Sequence, residues 1–297
     1  MTVLLTGYDG FVGSLFREEV PCVPLSDEYG KVDLRESTRL RAAIENIKPD
    51  FVMHLAAQSF VPESFFDPMT TYDINFTGTF NLLSALKNVG FQGKMLFVSS
   101  GDTYGLVSSE CLPVGENHPL KPRSPYAVSK VAAEALCYQW SQTESFEVIS
   151  ARPFNHIGPR QSEEFVVSDF AKQIVEIKLG LRDPVLDVGD VGVTRDFTDV
   201  RDVIRAYALL LEKGQNGEAY NICSGKERTI HSLLLLMLKL AQVEASWQQD
   251  SSRFRLSEQR RIYGDFSKLR AHTGWSPVIP VEKTLLDTLG YWEKMLS

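Results

Sequence analysis

The stretch Val3-Leu4-Leu5-Thr6-Gly7-Tyr8-Asp9-Gly10-Phe11-Val12-Gly13-Ser14 decides the fold of this chain. A short apolar run, typical of a buried strand, is followed at once by three glycines and the start of a helical pattern. Such glycines let the backbone turn sharply and approach a pyrophosphate, whose charge meets the amides and dipole of the helix N-terminus. The spacing is GxxGxxG, not the common GxGxxG, so an ordinary strand–helix turn stays open on the motif alone. Its place after the first strand favours a turn that binds a dinucleotide.

The chain beyond this turn alternates short apolar runs with longer amphipathic ones. This alternation predicts an α/β fold, a Rossmann-type doubly wound parallel sheet with a smaller C-terminal α/β substrate-binding lobe. We predict a nucleotide-binding lobe over residues 1–155, which the chain rejoins near residues 190–225. A substrate lobe is predicted mainly over residues 156–297. Strands are predicted at 3–5, 22–25, 51–55, 95–99, 148–151, 185–188 and 219–222. Helices are predicted at 34–46, 74–89, 127–143, 169–179, 203–213 and 230–241.

Composition excludes several other classes of protein. The 297 residues, 43% of them hydrophobic, suffice for a large core, and a formal net charge of −7 disfavours a nucleic-acid or anionic-membrane partner. The four cysteines and five histidines are scattered without ligand spacing, so we expect neither a disulfide framework nor a metal site. The chain enters a strand directly, without a signal-like segment, and its longest apolar run, 233–238, is too short for a bilayer. A cytoplasmic location is predicted.

Two segments suggest chemistry. In Ser124-Pro125-Tyr126-Ala127-Val128-Ser129-Lys130, a serine cap precedes a helix on which Tyr126 and Lys130, four residues apart, share one face. A neighbouring ammonium lowers the pKa of a phenol, ordinarily about 10, which makes Tyr126 a usable acid. Ser100 lies where a strand ends, at the edge where α/β sheets bind ligands. Taken singly, the tyrosine and lysine could lie on a solvated helix, and the serine could satisfy loop amides.

Together with the glycine turn, His54-Leu55-Ala56-Ala57 and Asn75 before Gly78-Thr79, these segments resemble the extended short-chain dehydrogenase/reductases, the NAD-dependent epimerase/dehydratase family. The resemblance implies a catalytic set of Ser100, Tyr126 and Lys130 and a cofactor that is NADP or NAD. It also implies that Asp33 lies near the adenine. The residues implied to line the cofactor are Gly7, Gly10, Phe11, Val12, Gly13, Asp33, Leu34, Leu55, Ala56, Ala57, Asn75, Tyr126, Lys130 and Pro153.

The choice between NAD and NADP stays open from the sequence. An acidic residue after the second strand ordinarily holds the adenosine ribose 2′-hydroxyl. Here that region reads Pro24-Leu25-Ser26-Asp27-Glu28, in which Asp27 could serve or could be a loop residue.

The segment from Arg152 to Arg160 and Thr194-Arg195-Asp196-Phe197 resemble enzymes of GDP-mannose metabolism. The resemblance implies that Asn155 and Arg195 contact the sugar diphosphate, Arg255 the pyrophosphate and Glu258 the ribose, with Lys172 a weaker phosphate candidate. Arginine suits this task because its guanidinium group binds phosphate bidentately. The implied substrate site is Ser100, Gly101, Asp102, Tyr126, Asn155, Val166, Lys172, Arg195, Arg255 and Glu258.

Two reactions compete within that group. Dehydration of GDP-mannose needs a carboxylate that reaches the C5 proton, and the dehydrating enzymes carry Thr-Ser-Glu where this chain has Ser100-Gly101-Asp102. Because Asp102 is one methylene shorter than glutamate, we favour the other reaction, NAD(P)H reduction of the C4 ketone of GDP-4-keto-6-deoxy-D-mannose to GDP-D-rhamnose. Dehydration, another nucleotide-sugar epimerase or reductase, and a non-catalytic sensor stay open, as do the C4 stereochemistry and the role of Asp102.

A homodimer is also predicted. The helical stretches 74–89 and 131–140 carry more apolar residues than one buried face needs, which fits a four-helix interface between two copies. A buried monomeric core would explain the same pattern.

Overall fold

The fold is that of a computed structural model, which describes residues 2–250 and 259–297. The strands are β1 (Val3–Thr6), β2 (Val23–Pro24), β3 (Ser26–Asp27), β4 (Gly30–Lys31), β5 (Phe51–His54), β6 (Lys94–Val98), β7 (Glu147–Pro153), β8 (Asn155–Ile157), β9 (Val185–Val188), β10 (Thr194–Asp199), β11 (Ala219–Ile222), β12 (Glu227–Thr229) and β13 (Ser246–Gln249). The helices are α1 (Phe11–Glu19), α2 (Ser37–Ile47), α3 (Val61–Phe66), α4 (Pro68–Tyr72), α5 (Gly78–Asn88), α6 (Pro125–Thr143), α7 (Val166–Lys178), α8 (Val200–Lys213), α9 (Ile230–Ala241), α10 (Ser267–Thr273) and α11 (Val281–Leu296).

The central sheet is parallel and has the order β11-β7-β6-β5-β1-β2. All its strands except the edge strand β2 are largely buried, because helices cover both faces of the sheet. Buried side chains of α2, α5 and α6 pack on one face, and those of α1, α8 and α10 pack on the other. The predicted doubly wound α/β fold is therefore confirmed.

A third apolar cluster lies outside this sheet. It joins α7, α9 and α11 to the small sheets β12-β10-β8 and β13-β9. The chain returns to the central sheet with α8, which packs on one face, and β11, which pairs with β7. The division into two lobes near residue 155 stays a prediction.

Several local details follow from the sequence. Ser124 caps α6, its Oγ accepting the Ala127 N–H at 3.1 Å, and Pro125 occupies the first turn, where no N–H is needed. The predicted strand 22–25 is shorter, because β2 ends at Pro24 and the chain then forms the hairpin β3–β4. The predicted helix 74–89 begins as a π-helical turn over residues 73–77.

Two connections between elements, β7–β8 and β10–α8, lie near the carboxyl edge of the central sheet. β7 runs almost directly into β8, so β8 lies beyond the carboxyl end of the central sheet. β10 pairs with β8, and α8 begins immediately after β10. α8 then runs back along the sheet, since the Lys94 Nζ at the amino end of β6 donates to the Gly214 carbonyl at 2.9 Å. In the described part of the chain, none of the helices has the length and apolar character needed to cross a membrane.

Candidate active site

The carboxyl edge of the central sheet borders a cavity of about 1080 Å³. That volume is at or above the upper end of the usual range for ligand pockets, about 300–1,000 Å³. Most of the residues that the sequence singles out come together on its wall. They are Gly7, Gly10, Phe11, Val12, Gly13, Asp33, Leu34, Leu55, Ala56, Ala57, Ser100, Gly101, Asp102, Tyr126, Lys130, Pro153, Asn155 and Arg195.

The glycine turn is shaped by close backbone approach. Gly7 has a φ of +67°, and a Cβ there would lie 2.7 Å from the Ala56 nitrogen. A Cβ on Gly13 would lie 2.1 Å from the Gly7 carbonyl oxygen, so neither position accepts a side chain without displacement. Gly10 precedes α1 without a side-chain cap, and its small size leaves the helix N-terminus approachable from the cavity.

A buried histidine ties the glycine strand to the neighbouring strand. Thr79 donates its hydroxyl to the Asn75 carbonyl at 2.6 Å, so it accepts from His54 Nε2 at 2.9 Å. The Thr6 hydroxyl donates to His54 Nδ1 at 2.8 Å and accepts the Ala56 N–H at 3.1 Å. Burial, aided by the charge on Lys130, lowers the pKa of His54 to about 3. His54 is therefore a neutral spacer that fixes the cavity wall.

Asn75 supports the wall from behind. Its Oδ1 accepts the Gln58 N–H at 2.8 Å, while its Nδ2 donates to the Gln58 carbonyl at 3.0 Å and to Ser129 Oγ at 2.9 Å. The side chain is buried and fully engaged, and the cavity is lined here by Gln58 instead. Direct contact of Asn75 with a cofactor stays a prediction.

The serine, tyrosine and lysine of the predicted catalytic set face one corner of the cavity. Ser100 follows β6 and caps the 3₁₀ turn 101–104, its Oγ accepting the Asp102 N–H at 3.1 Å. Tyr126 and Lys130 come from the first turns of α6 and are 9% and 4% exposed. The Lys130 Nζ lies 6.0 Å from the centre of the Tyr126 ring and donates to the Val98 carbonyl at 2.8 Å.

The protonation of this set differs from the expectation. Burial raises the pKa of Tyr126, the charge of Asp102 raises it further, and a hydrogen bond with Ser100 opposes both. Burial lowers the pKa of Lys130 to about 8. The expected lowering of the phenol pKa by Lys130 is therefore not found, because the ammonium is bonded to the Val98 carbonyl and the phenol is desolvated. Tyr126 is protonated at neutral pH, which is the form that donates a proton.

At the other end of the cavity, two cations are paired with two carboxylates. Lys31 contacts both oxygens of Asp9, at 2.7 and 2.8 Å, and Arg35 contacts Asp33 at 2.7 Å. All four residues line the cavity.

Asp27, the open candidate for holding a ribose, is instead bound by Arg39 at 2.5 and 2.6 Å. That hydrogen bonding lowers the pKa of Asp27 to about 2. Asp27 does not lie among the cavity-lining residues of the described chain; it ends strand β3 of the hairpin, where it pairs with Gly30 of β4.

The predicted substrate residues are only partly assembled. Arg195 lines the cavity, with its Nη1 donating to the Thr194 and Gln259 carbonyls at 2.7 and 2.6 Å. Lys172 points elsewhere, paired with Glu163 and 5.6 Å from the Trp292 ring. Val166 begins α7, and its neighbour Phe165 is the residue on the wall. Arg255 and Glu258 lie outside the described residues.

Three buried oxygens on the wall have no hydrogen-bond partner within the described chain, namely Gln58 Oε1, Ser99 Oγ and Tyr207 Oη. The sequence pointed to none of them. Gln58 and Ser99 adjoin recognised motifs, which could have drawn attention to them, whereas Tyr207 lies in an ordinary amphipathic helix. Unpaired buried groups are costly unless a ligand satisfies them. The glycine turn can take the pyrophosphate of a nicotinamide dinucleotide that lies along the sheet edge, and the three oxygens can hydrogen-bond the rest of that ligand.

The parallel sheet, the glycine turn and the serine–tyrosine–lysine set define an extended short-chain dehydrogenase/reductase. The family model described as GDP-mannose 4,6 dehydratase matches residues 25–288. The chain therefore belongs to the GDP-mannose 4,6 dehydratase family.

Individual relatives agree with this assignment. GDP-6-deoxy-D-mannose reductase of Pseudomonas aeruginosa is 46% identical over 98% of this chain and 97% of its own. GDP-mannose 4,6-dehydratase of Yersinia enterocolitica is 30% identical over 86% of this chain and 75% of its own. The solved structure of RMD from Pseudomonas aeruginosa, complexed with NADPH, superimposes with a TM-score of 0.92, at 44% identity over 99% of both chains.

Proposed function

We propose that this enzyme reduces the C4 ketone of GDP-4-keto-6-deoxy-D-mannose with NADPH and releases GDP-D-rhamnose. The observation that carries the proposal is the near full-length similarity to GDP-6-deoxy-D-mannose reductase, at 46% identity, in a chain that assembles Ser100, Tyr126 and Lys130 at one cavity corner. The NADPH in the similar RMD structure supports the choice of cofactor.

The side chains have distinct tasks in this reaction. When bound, NADPH supplies the hydride. Ser100 and Tyr126 hydrogen-bond the C4 oxygen, which orients the ketone and polarises it. Tyr126, protonated because its phenol is desolvated, transfers its Oη proton to that oxygen as negative charge develops there. Charged Lys130 donates hydrogen bonds to the ribose next to the reacting ring and holds that ring beside Tyr126.

Dehydration of GDP-mannose is the second candidate, supported by relatives of that name and by Asp102, which lines the cavity and interacts electrostatically with Tyr126. The deciding experiment mixes enzyme and NADPH with GDP-4-keto-6-deoxy-D-mannose, or with GDP-mannose alone, and follows absorbance at the NADPH band. Oxidation only with the keto sugar supports reduction. Conversion of GDP-mannose to a keto sugar without NADPH loss would refute the proposal and assign the base role to Asp102.

The buried Lys130 predicts a pH limit. Its pKa is lowered to about 8, so the ammonium is present below that pH and is lost as the pH rises through it. We expect kcat/KM to fall about tenfold per pH unit above pH 8, since one essential proton is lost from the free enzyme. Lys130→Arg, whose guanidinium stays charged, should move this fall beyond pH 10. An unchanged alkaline limb in that variant would contradict the assignment.

Lys31 predicts a preference for the phosphorylated cofactor. It lines the cavity at the end opposite Tyr126, and among the described residues its ammonium pairs only with the exposed carboxylate of Asp9. Because exposed ion pairs are weak, a phosphate can replace that carboxylate. We propose that Lys31 binds the 2′-phosphate of NADPH. Lys31→Glu should weaken NADPH binding about tenfold, the value of one charge-assisted hydrogen bond, and leave NADH binding unchanged. Fluorescence titration measures both, with Lys239→Glu, a charge reversal on α9, as the control. Equal weakening for both cofactors would refute the role.

We propose that the enzyme is a cytoplasmic homodimer. Its four cysteines are free, as in a reducing compartment. Phe80, Val128 and Tyr138, on the adjoining helices α5 and α6, are 45%, 41% and 58% exposed, an apolar face suited to a second copy. Light scattering after size exclusion should give twice the 33.4 kDa chain mass. Phe80→Asp should give the single mass, whereas Leu286→Asp on α11 should not. A monomeric wild type would exclude the dimer.

A further inference from the structure

Helix α8 carries a buried tyrosine hydroxyl for which the reaction above has no role. Tyr207 is 0% exposed, its Oη has no hydrogen-bond partner among the described residues, and the side chain lines the cavity. A hydroxyl removed from water without a partner destabilises the folded chain. A water molecule or a bound ligand at the cavity can complete the hydrogen bonding of such a group.

The direction of α8 aims this hydroxyl at the floor of the cavity. The helix begins beyond the carboxyl end of β7 and ends at Lys213, and the following Gly214 lies next to the amino end of β6. Long side chains on a helix lean toward its N-terminus. Tyr207, in the middle of α8, therefore leans toward the carboxyl edge of the sheet, where the cavity lies.

Tyr207 and Tyr126 approach that edge from opposite faces of the sheet. Tyr126 belongs to α6, which packs on one face, and Tyr207 packs with the apolar cluster on the other. The two phenols are close enough to interact: after burial, the presence of Tyr126 is what raises the pKa of Tyr207. Both tyrosines therefore border the same part of the cavity.

We propose that the Tyr207 hydroxyl hydrogen-bonds the carboxamide of the nicotinamide ring and so fixes the rotation of that ring beside Tyr126. The inference rests on the proposed function, since it presumes that NADPH binds along this edge. The glycine turn takes the pyrophosphate and Asp33 lies at the adenosine end, which leaves the nicotinamide at the Tyr126 end. The carboxamide is the polar substituent of that ring, and it offers both a donor and an acceptor.

The test compares Tyr207→Phe with Tyr220→Phe. Tyr220 is equally buried, but its hydroxyl accepts the Gln215 N–H at 3.1 Å and bonds His272 Nδ1 at 2.8 Å, away from the cavity wall. Without ligand, Tyr207→Phe should raise the melting temperature by about 2 °C because an unpaired hydroxyl is removed, and Tyr220→Phe should lower it. Tyr207→Phe should weaken NADPH binding about tenfold, whereas Tyr220→Phe should not change it.

A second ligand locates the contact. The dissociation constant of 2′-phospho-ADP-ribose, which lacks the nicotinamide, should be the same for Tyr207→Phe and the wild type. The inference would be overturned if Tyr207→Phe bound both ligands equally more weakly, or bound both as tightly as the wild type. A melting temperature lowered as in Tyr220→Phe would overturn it as well. NADPH binding that responds as expected, in an enzyme that leaves the keto sugar unreduced, would support the Tyr207 contact and refute the proposed reaction.

Discussion

Tyr126→Phe will lower kcat for ketone reduction about 10²–10⁴-fold, the usual contribution of a positioned proton donor. The variant keeps the ring, which is 9% exposed, so we expect α6 and the cavity wall to keep their packing. In the proposed mechanism, the variant lacks the proton that Tyr126 gives to the C4 oxygen and one hydrogen bond that polarises the ketone. Steady-state NADPH oxidation with saturating keto sugar measures the loss.

Binding measurements separate this chemical role from a structural one. The affinity of Tyr126→Phe for NADPH should stay within a few-fold of the wild type, because Lys130 and the glycine turn are intact. Tyr138→Phe, on the same helix but not among the cavity-lining residues, keeps its ring on the proposed dimer face; it is the matched control and should retain full kcat. Near-normal turnover in Tyr126→Phe would remove Tyr126 from the mechanism and leave Asp102 as the cavity acid to examine.

Glu134→Ala will cost about 3–5 kcal/mol of unfolding free energy, the usual effect of leaving a buried charge without its partner. Arg152 on β7 and Glu134 on α6 form an ion pair with side chains only 7% and 9% exposed. The same guanidinium donates to Tyr104 Oη and to the Glu116 carbonyl, both at 2.9 Å. This network joins α6 to the turn that follows Ser100, so its loss should also disturb the catalytic corner.

Urea unfolding followed by circular dichroism measures this effect. Glu293→Ala, which breaks an exposed pair with Lys178 at 2.9 Å, is the control and should cost less than about 1 kcal/mol. The double variant Glu134→Met/Arg152→Leu should recover most of the loss, because no charge is then left buried. A loss in Glu134→Ala no larger than in the control would show that water or another group replaces the carboxylate.

Much of the fold can be read from short segments. The glycine turn, the Ser124 cap and the strand–helix alternation express local preferences, and segments such as 185–188, 219–222 and 230–241 appear with the predicted bounds. The boundary errors have local causes as well. Pro24 ends β2, and a π-helical turn precedes α5, neither of which hydrophobic periodicity reveals.

The positions of candidate site residues can be predicted where those residues belong to a sequence motif. Ser100, Tyr126 and Lys130 lie in segments whose order along a βαβ chain places them at one sheet edge. Lys172 shows the limit of such reasoning. The helix that contains it forms as predicted, but its side chain pairs with Glu163 and lies over the Trp292 ring. Which way a lysine points depends on neighbours distant in the chain.

The sequence by itself determined the doubly wound sheet and the glycine turn after its first strand, and it predicted Ser100, Tyr126 and Lys130 as the catalytic set, because each depends on residue types at short fixed spacings. Only the tertiary structure decided that Tyr126 is held protonated, that Asp27 is tied to Arg39, and that Tyr207 reaches the cavity floor. These properties arise from burial and from pairs far apart in sequence. Desolvation and long-range hydrogen bonding exist only once the helices have packed on both faces of the sheet.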